Sequence, residues 1–103
     1  MIRIRAKINF FKVRKTPFFT GYRPAFSFVR ETFTSGSILL LDREKFYPGD
    51  SGVVEIWFVV PESLGDDFGV GKPFTFGEGP SALGDGVVEE ILQWESSPTA
   101  TNL

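Results

Sequence analysis

The first ten residues alternate strictly between apolar and polar side chains, and this alternation restricts what the chain can fold into. One side of an extended chain would carry the apolar residues of this segment, which are Ile2, Ile4, Ala6, Ile8 and Phe10. The charged and amide side chains between them would point the other way. A period of two over this length is typical of a β-strand with one buried face, and it does not fit a helix.

Five further apolar segments, each bounded by turn residues, predict five more strands. They span residues 25–33, 37–41, 53–60, 74–76 and 86–94. Ser35-Gly36 and Pro48-Gly49-Asp50 are the turn signals among them, because glycine readily takes positive φ. Short strands separated by turns at fairly even spacing predict an all-β barrel or sandwich. We expect one domain over residues 1–94 and a disordered polar tail over residues 95–103.

Cysteine and histidine are both absent from the 103 residues. Their absence excludes disulfides, thiol chemistry, an imidazole base and nearly all zinc sites. The segment Gly71-Lys72-Pro73 has proline where a phosphate-binding loop needs serine or threonine. We therefore expect a non-catalytic protein without cofactor, metal ion or bound GTP. The mixed charged and apolar N-terminal segment predicts neither a signal peptide nor a membrane partner, and we expect a cytoplasmic protein.

Charge is distributed unevenly along the chain, although the net charge is only −2. Residues 1–30 carry eight basic side chains and no acidic one, whereas the later residues carry three basic and thirteen acidic ones. The eight are Arg3, Arg5, Lys7, Lys12, Arg14, Lys15, Arg23 and Arg30. This asymmetry predicts either a binding face for an anionic partner or an internal match between basic first strands and acidic later strands of a closed barrel.

Three segments carry a more specific signal. Residues 16–24 read Thr-Pro-Phe-Phe-Thr-Gly-Tyr-Arg-Pro, residues 47–50 read Tyr-Pro-Gly-Asp, and residues 84–88 read Gly-Asp-Gly-Val-Val. In this order they resemble the C-terminal β-barrel domain, domain 3, of bacterial elongation factor Tu, over roughly residues 2–93. The resemblance implies a six-stranded antiparallel closed β-barrel, here as a stand-alone domain without the GTPase.

The resemblance also implies partners and contact residues. In the family this barrel contacts the T stem of aminoacyl-tRNA, the exchange factor Ts and the GTPase domain. Arg14 matches a basic residue that the family directs at tRNA phosphate, and Arg23 matches the arginine of the Tyr-Arg-Pro motif. Glu78 and Gly79 match an acidic-glycine pair near the T stem.

The chain departs from the family at other contact positions. Ala25 stands where the family has glutamine, and Gly77, Pro80 and Ser81 replace much of an arginine-rich hairpin tip. Fewer arginines weaken the attraction for a phosphate backbone. We therefore expect a macromolecular partner, and we favour a protein over tRNA.

Aromatic residues are candidate anchors for such a partner. Phe19 lies in a Pro/Gly loop with Phe18 and Tyr22, and Trp57 shares a strand face with Glu55. An exposed tryptophan on that face would suit an interface. The alternative is that Trp57 and Trp94 plug the ends of the barrel. Surfaces that neighbouring domains cover in the family also make self-association an option.

Three hypotheses of function follow from these observations. One is a protein-interaction or regulatory adaptor linked to translation. The second is a residual tRNA or RNA binder whose basic face consists of Arg3, Arg5, Lys7, Arg14 and Arg23. The third is one segment of a split or decayed elongation factor.

Overall fold

The computed structural model describes residues 1–95, except for the side chains of residues 61 and 62, and forms a closed barrel of six antiparallel strands. The strands are β1 (Ile2–Phe10), β2 (Ala25–Val29), β3 (Thr32–Leu40), β4 (Ser51–Phe58), β5 (Pro73–Glu78) and β6 (Ser81–Trp94). They pair in the order β1-β4-β3-β2-β5-β6 around the barrel. The predicted fold class is therefore confirmed. Residues 96–103, which make up most of the predicted polar tail, lie outside the described residues.

Strand β1 buries alternate side chains as its sequence pattern predicts. Ile2, Ile4 and Ile8 are fully buried, and Phe10 is almost so. The strand pairs with β4 on one side and with β6 on the other. Since β6 is the last strand, its pairing with β1 closes the barrel. In the part of the chain that is described, no helix is long and apolar enough to cross a membrane.

Phenylalanine rings fill much of the core, and three of them lie opposite glycines of the adjacent strand. The cross-strand pairs are Phe58 with Gly36, Phe76 with Gly84, and Phe74 with Gly86. A Cβ atom on Gly36 would lie 2.8 Å from a ring carbon of Phe58 and 2.9 Å from one of Phe26. Protein interiors are close-packed, so these rings take the space that a side chain would need. Glycine at these positions therefore reflects close approach of an aromatic ring.

The turn between β2 and β3 lies at Arg30 and Glu31, and the prediction that placed it at Ser35-Gly36 is wrong. Glu31 adopts a φ of 62°, which is uncommon for glutamate and has no sequence signature. Gly36 lies inside β3, beneath the aromatic rings. A glycine within a strand often marks close packing, and here it was mistaken for a turn signal.

The sequence favoured cover on most of both faces of the apolar segment at residues 53–60. In the structure its inward face is buried, its outward face is partly covered as far as Trp57, and its last two residues are exposed. Val54, Ile56 and Phe58 are buried, but Trp57 is half-buried on the outer face. Val59 follows the end of β4 and is 64% exposed. A barrel strand has one inward face and one outward face, so half of an apolar strand must face outward. Apolar side chains therefore remain accessible around Trp57.

The connection between β4 and β5 packs against the barrel. It contains a short 3₁₀ helix, Pro61–Leu64, and Leu64 is fully buried. Further along, the backbone N–H of Gly71 donates to the carbonyl of Val88 at 2.8 Å. The sequence indicated a long Gly/Asp loop here and gave no sign of this anchoring.

Replacing Gly36 with alanine should destabilise the barrel, because the new Cβ would collide with the rings of Phe58 and Phe26. We expect the free energy of unfolding, measured by urea denaturation, to fall by about 1–3 kcal/mol, the usual cost of overpacking. Adding Phe58→Leu should make the two changes non-additive, since the smaller side chain leaves room for the Cβ. Gly69→Ala is the control, because no atom lies within 4 Å of a Cβ built there. Equal losses at the two glycines would contradict this explanation.

Candidate functional site

The outer face of β1 carries three of the predicted binding cations, and neighbouring strands supply carboxylates beside two of them. Arg3 Nη1 lies 3.3 Å from Glu55 Oε1 of β4. Arg5 forms an ion pair with Glu90 of β6. Lys7 is exposed and has no ion pair with any described side chain. The internal charge match, one of the two expected alternatives, is therefore present at Arg3 and Arg5.

These ion pairs affect what β1 can bind more than they affect stability. Exposed ion pairs contribute only about 0–1 kcal/mol. A carboxylate beside an arginine nevertheless offsets the positive charge that a phosphate group would need. Arg3 is further held by Trp57, whose ring centre lies 5.2 Å from the guanidinium carbon. Its Nε is buried without a hydrogen-bond partner among the described residues.

A second group of site residues joins the loop before β2 to the β5–β6 hairpin, and we call it the Arg14–Tyr22–Glu78 cluster. Arg14 Nη1 and the Tyr22 hydroxyl both donate to Oε2 of Glu78, each at 2.9 Å. The Tyr22 ring stacks on Phe18 with ring centres 4.8 Å apart. Gly79 follows Glu78 and turns the hairpin with a φ of 64°. The structure thus brings together Arg14, Glu78 and Gly79, three of the predicted contact residues.

The contacts in this cluster shift the pKa of each member. Burial, reinforced by the hydrogen bond to Glu78, raises the pKa of the Tyr22 phenol to about 12. Hydrogen bonds from Arg14 and Tyr22 lower the pKa of Glu78, and the same contact with Glu78 raises the pKa of Arg14. At neutral pH the cluster therefore holds a charged arginine, a charged carboxylate and a neutral phenol that bind one another.

A groove of about 370 Å³ lies between the loop before β2 and the outer faces of β3 and β4. We call it the Arg23–Trp57 groove, and its walls include Thr20, Arg23, Ser37, Leu39, Trp57 and Val59. Arg23 is exposed, and its side chain makes no ion pair or hydrogen bond with the described part of the chain. Trp57 faces outward, and Trp94 is 49% exposed, so neither tryptophan plugs the barrel.

Phe18 and Phe19 take opposite environments although they are adjacent in the loop. Phe18 is 3% exposed and packs among core rings, whereas Phe19 is 53% exposed. Lys45 Nζ lies 5.9 Å from the centre of the Phe19 ring. Phe19 is therefore an accessible aromatic residue beside a cation, one residue before the groove wall at Thr20.

A wider depression of about 710 Å³ lies across β1, β2, β5 and β6. It contains Lys7 and Arg30, but also the carboxylates of Asp85 and Glu89. A ligand of either sign would meet repulsion from part of this surface. The walls of the smaller Arg23–Trp57 groove contain no acidic residue among the described side chains, so we place the candidate site there.

Sequence reasoning missed several residues of these two sites. The hydrogen bond between Tyr22 and Glu78 joins residues 56 positions apart, and nothing local signals it. Val59, in contrast, lies two residues after Trp57 and so falls on the same face by the period of a strand. The period of two could have identified Val59 as a neighbour of Trp57.

No protein-family model matches the chain. Among the described side chains, no group of three or more acidic residues is placed to hold a metal ion. The site is therefore interpreted from its own side chains. They combine an exposed guanidinium group with an indole ring and an aliphatic wall.

The pKa of Tyr22 can be tested by ultraviolet titration of the wild type and Tyr22→Phe. The difference between the two curves should have its midpoint near pH 12, because burial and Glu78 favour the neutral phenol. The folded-state pKa exceeds the ordinary value of 10.0. The stability contributed by this phenol is therefore present below pH 10 and is lost as the pH rises through 12.

Tyr47→Phe, which removes the other tyrosine, is the matched control and should leave this high-pH component in place. Circular dichroism of the same samples would establish that the protein remains folded. A midpoint near 10 in folded protein would mean that the Tyr22 hydroxyl is solvated and not bound to Glu78.

Proposed function

We propose that the chain is a non-catalytic binding module that recognises another protein, as an adaptor in a cytoplasmic process linked to translation. One observation carries this proposal. Arg3, Arg5 and Arg14 lie in ion pairs with carboxylates of the same chain. Arg23 has no such ion pair among the described side chains, and it lines a partly apolar groove.

The link to translation rests on the resemblance to domain 3 of elongation factor Tu. The closed six-stranded barrel is the fold that this resemblance implies, which supports the proposal. The shared segments also have defined places in the barrel. Phe18 packs in the core, Gly49 takes a φ of 94° in the Pro-Gly-Asp turn, and Gly86 lies beneath a phenylalanine ring.

The charges favour a protein partner over RNA. RNA binding depends on several uncompensated cations along the phosphate backbone. Of the five cations expected for that role, Arg3, Arg5 and Arg14 are paired with glutamates. Lys7 and Arg23 remain, on separate elements, in a chain whose net charge is −2.

Our proposal that the chain does not catalyse a reaction rests on the contacts within the Arg14–Tyr22–Glu78 cluster. The groups with shifted pKa values in the Arg14–Tyr22–Glu78 cluster bind one another. A phenol with a pKa of about 12 is a poor proton donor at neutral pH. We assign this cluster the structural task of fixing the loop before β2 against the β5–β6 hairpin.

The test is a pull-down with the tagged full chain from host lysate, divided into RNase-treated and untreated halves. We expect a protein partner that survives RNase and is retained from about 0.05 to 0.3 M salt, because apolar contacts are only weakly screened. The double variant Arg14→Ala and Arg23→Ala should not abolish this retention entirely.

The opposite pattern would support the RNA alternative. It would consist of tRNA-sized RNA that is lost on RNase treatment, released steeply by salt and abolished by the two arginine changes. Recovery of neither protein nor RNA would also contradict the proposal, and it would favour a decayed fragment.

A further inference from the structure

The Arg23–Trp57 groove combines an exposed guanidinium group with apolar side chains. We propose that it binds an acidic segment of a partner protein, with an apolar side chain packed on Trp57 and a neighbouring carboxylate held by Arg23. This inference rests on the proposed protein-binding function and adds the location and the chemistry of the partner.

The strand register places Arg23 and Trp57 on either side of Ser37. Trp57 of β4 pairs directly with Arg3 of β1 and with Ser37 of β3. The loop before β2 continues this sheet, since Tyr22 bridges to Ile38. Arg23 therefore lies beside Ser37, opposite Trp57. Ser37, the residue between Arg23 and Trp57 in this register, has a small side chain and also lines the groove.

The apolar wall is accessible and held in place. Val59 is 64% exposed, and Leu39 and Trp57 are half-buried on the outer face. The guanidinium of Arg3 lies over the indole of Trp57 and is itself paired with Glu55. A ring fixed before binding loses little conformational entropy when a ligand packs on it. Tryptophan in such a setting is a common energetic centre of protein interfaces.

The positive charge of Arg23 favours a ligand that carries a carboxylate group. Arg23 is exposed and has no carboxylate partner among the described side chains, and none of the described wall residues is acidic. A guanidinium group presents two parallel N–H donors that match a carboxylate. Arg3, Arg5 and Arg14 of the basic face already pair with glutamates. At Arg23, an incoming carboxylate would compete with no glutamate among the described side chains.

A phosphate group could also bind Arg23, but the walls fit a nucleic acid less well. Single-stranded nucleic acids need a row of cations along the backbone together with stacking rings. The groove offers the guanidinium of Arg23, the indole of Trp57 and the apolar side chains of Leu39, Val59 and Met1, whose N-terminal ammonium donates to the carbonyl of Glu95. Its volume of about 370 Å³ suits one or two apolar side chains. The shape and charge therefore favour an acidic peptide.

The test uses the full chain and the fluorescein-labelled peptide Glu-Glu-Leu-Phe-Glu-Glu, with binding followed by fluorescence anisotropy. We expect saturable binding that weakens about tenfold or more when glutamine replaces glutamate, because the carboxylate contact with Arg23 is lost. Arg23→Gln should remove most of the preference for glutamate, and Trp57→Ala should weaken binding of the acidic peptide by about tenfold or more. Circular dichroism and thermal unfolding would establish that both variants are folded.

Matched controls lie elsewhere on the surface. Arg30→Gln removes an exposed arginine outside the groove, and Trp94→Ala removes the other tryptophan, so both should bind the peptide as the wild type does. Four results would each overturn the inference. They are absence of binding, equal affinity for the glutamine peptide, insensitivity to both groove variants, and tighter binding of a single-stranded oligonucleotide that displaces the peptide.

The pull-down described above separates this inference from the proposed function. If Arg23→Gln and Trp57→Ala retain the same protein partner as the wild type, the chain is a protein-binding module whose site lies outside the groove. If RNA is retained in place of protein, both proposals fail together.

Discussion

Phenylalanine rings packed over glycines of adjacent strands are the constraint on which this barrel depends. The inward side of a small barrel is narrow, and its residues must alternate large and small to fill it. Here the large residues are Phe58, Phe74 and Phe76, and a glycine lies opposite each of them. These pairs lie on the β3–β4 and β5–β6 ladders, so they fix the register of two strand pairs. Rings in edge-on contact, such as Phe26 with Phe58 at 5.1 Å, add to this packing.

The register set in the core determines the outer surface. A slip of one residue would move every side chain of a strand to the other face. Because Phe58 must meet Gly36 inside, Trp57 must meet Ser37 outside, and the β1–β4 ladder places Arg3 beside them. The Arg23–Trp57 groove is lined by outward side chains such as Trp57 and Ser37, whose positions follow from the core.

The sequence predicted the fold where the signal was local and missed features that depend on distant partners. The alternation from Ile2 to Phe10 identified β1 because burial and strand geometry share a period of two. Gly49 was identified as a turn residue because positive φ is a local property of the chain. Gly36 was misread because its role depends on the ring of Phe58 in another strand. A glycine alone does not distinguish a turn from close packing.

The candidate site was predicted less well than the fold, for the same reason. Whether an arginine is available to a partner depends on what lies beside it, and Glu78 reaches Arg14 only through the folded barrel. The segment over residues 16–24 also serves packing, since Phe18 lies in the core and Tyr22 binds Glu78. These roles explain the segment through the packing of the barrel itself, without reference to a ligand. A shared fold does not establish a shared function. The ligand is therefore best argued from residues such as Arg23 and Val59, whose exposed side chains have no part in the core.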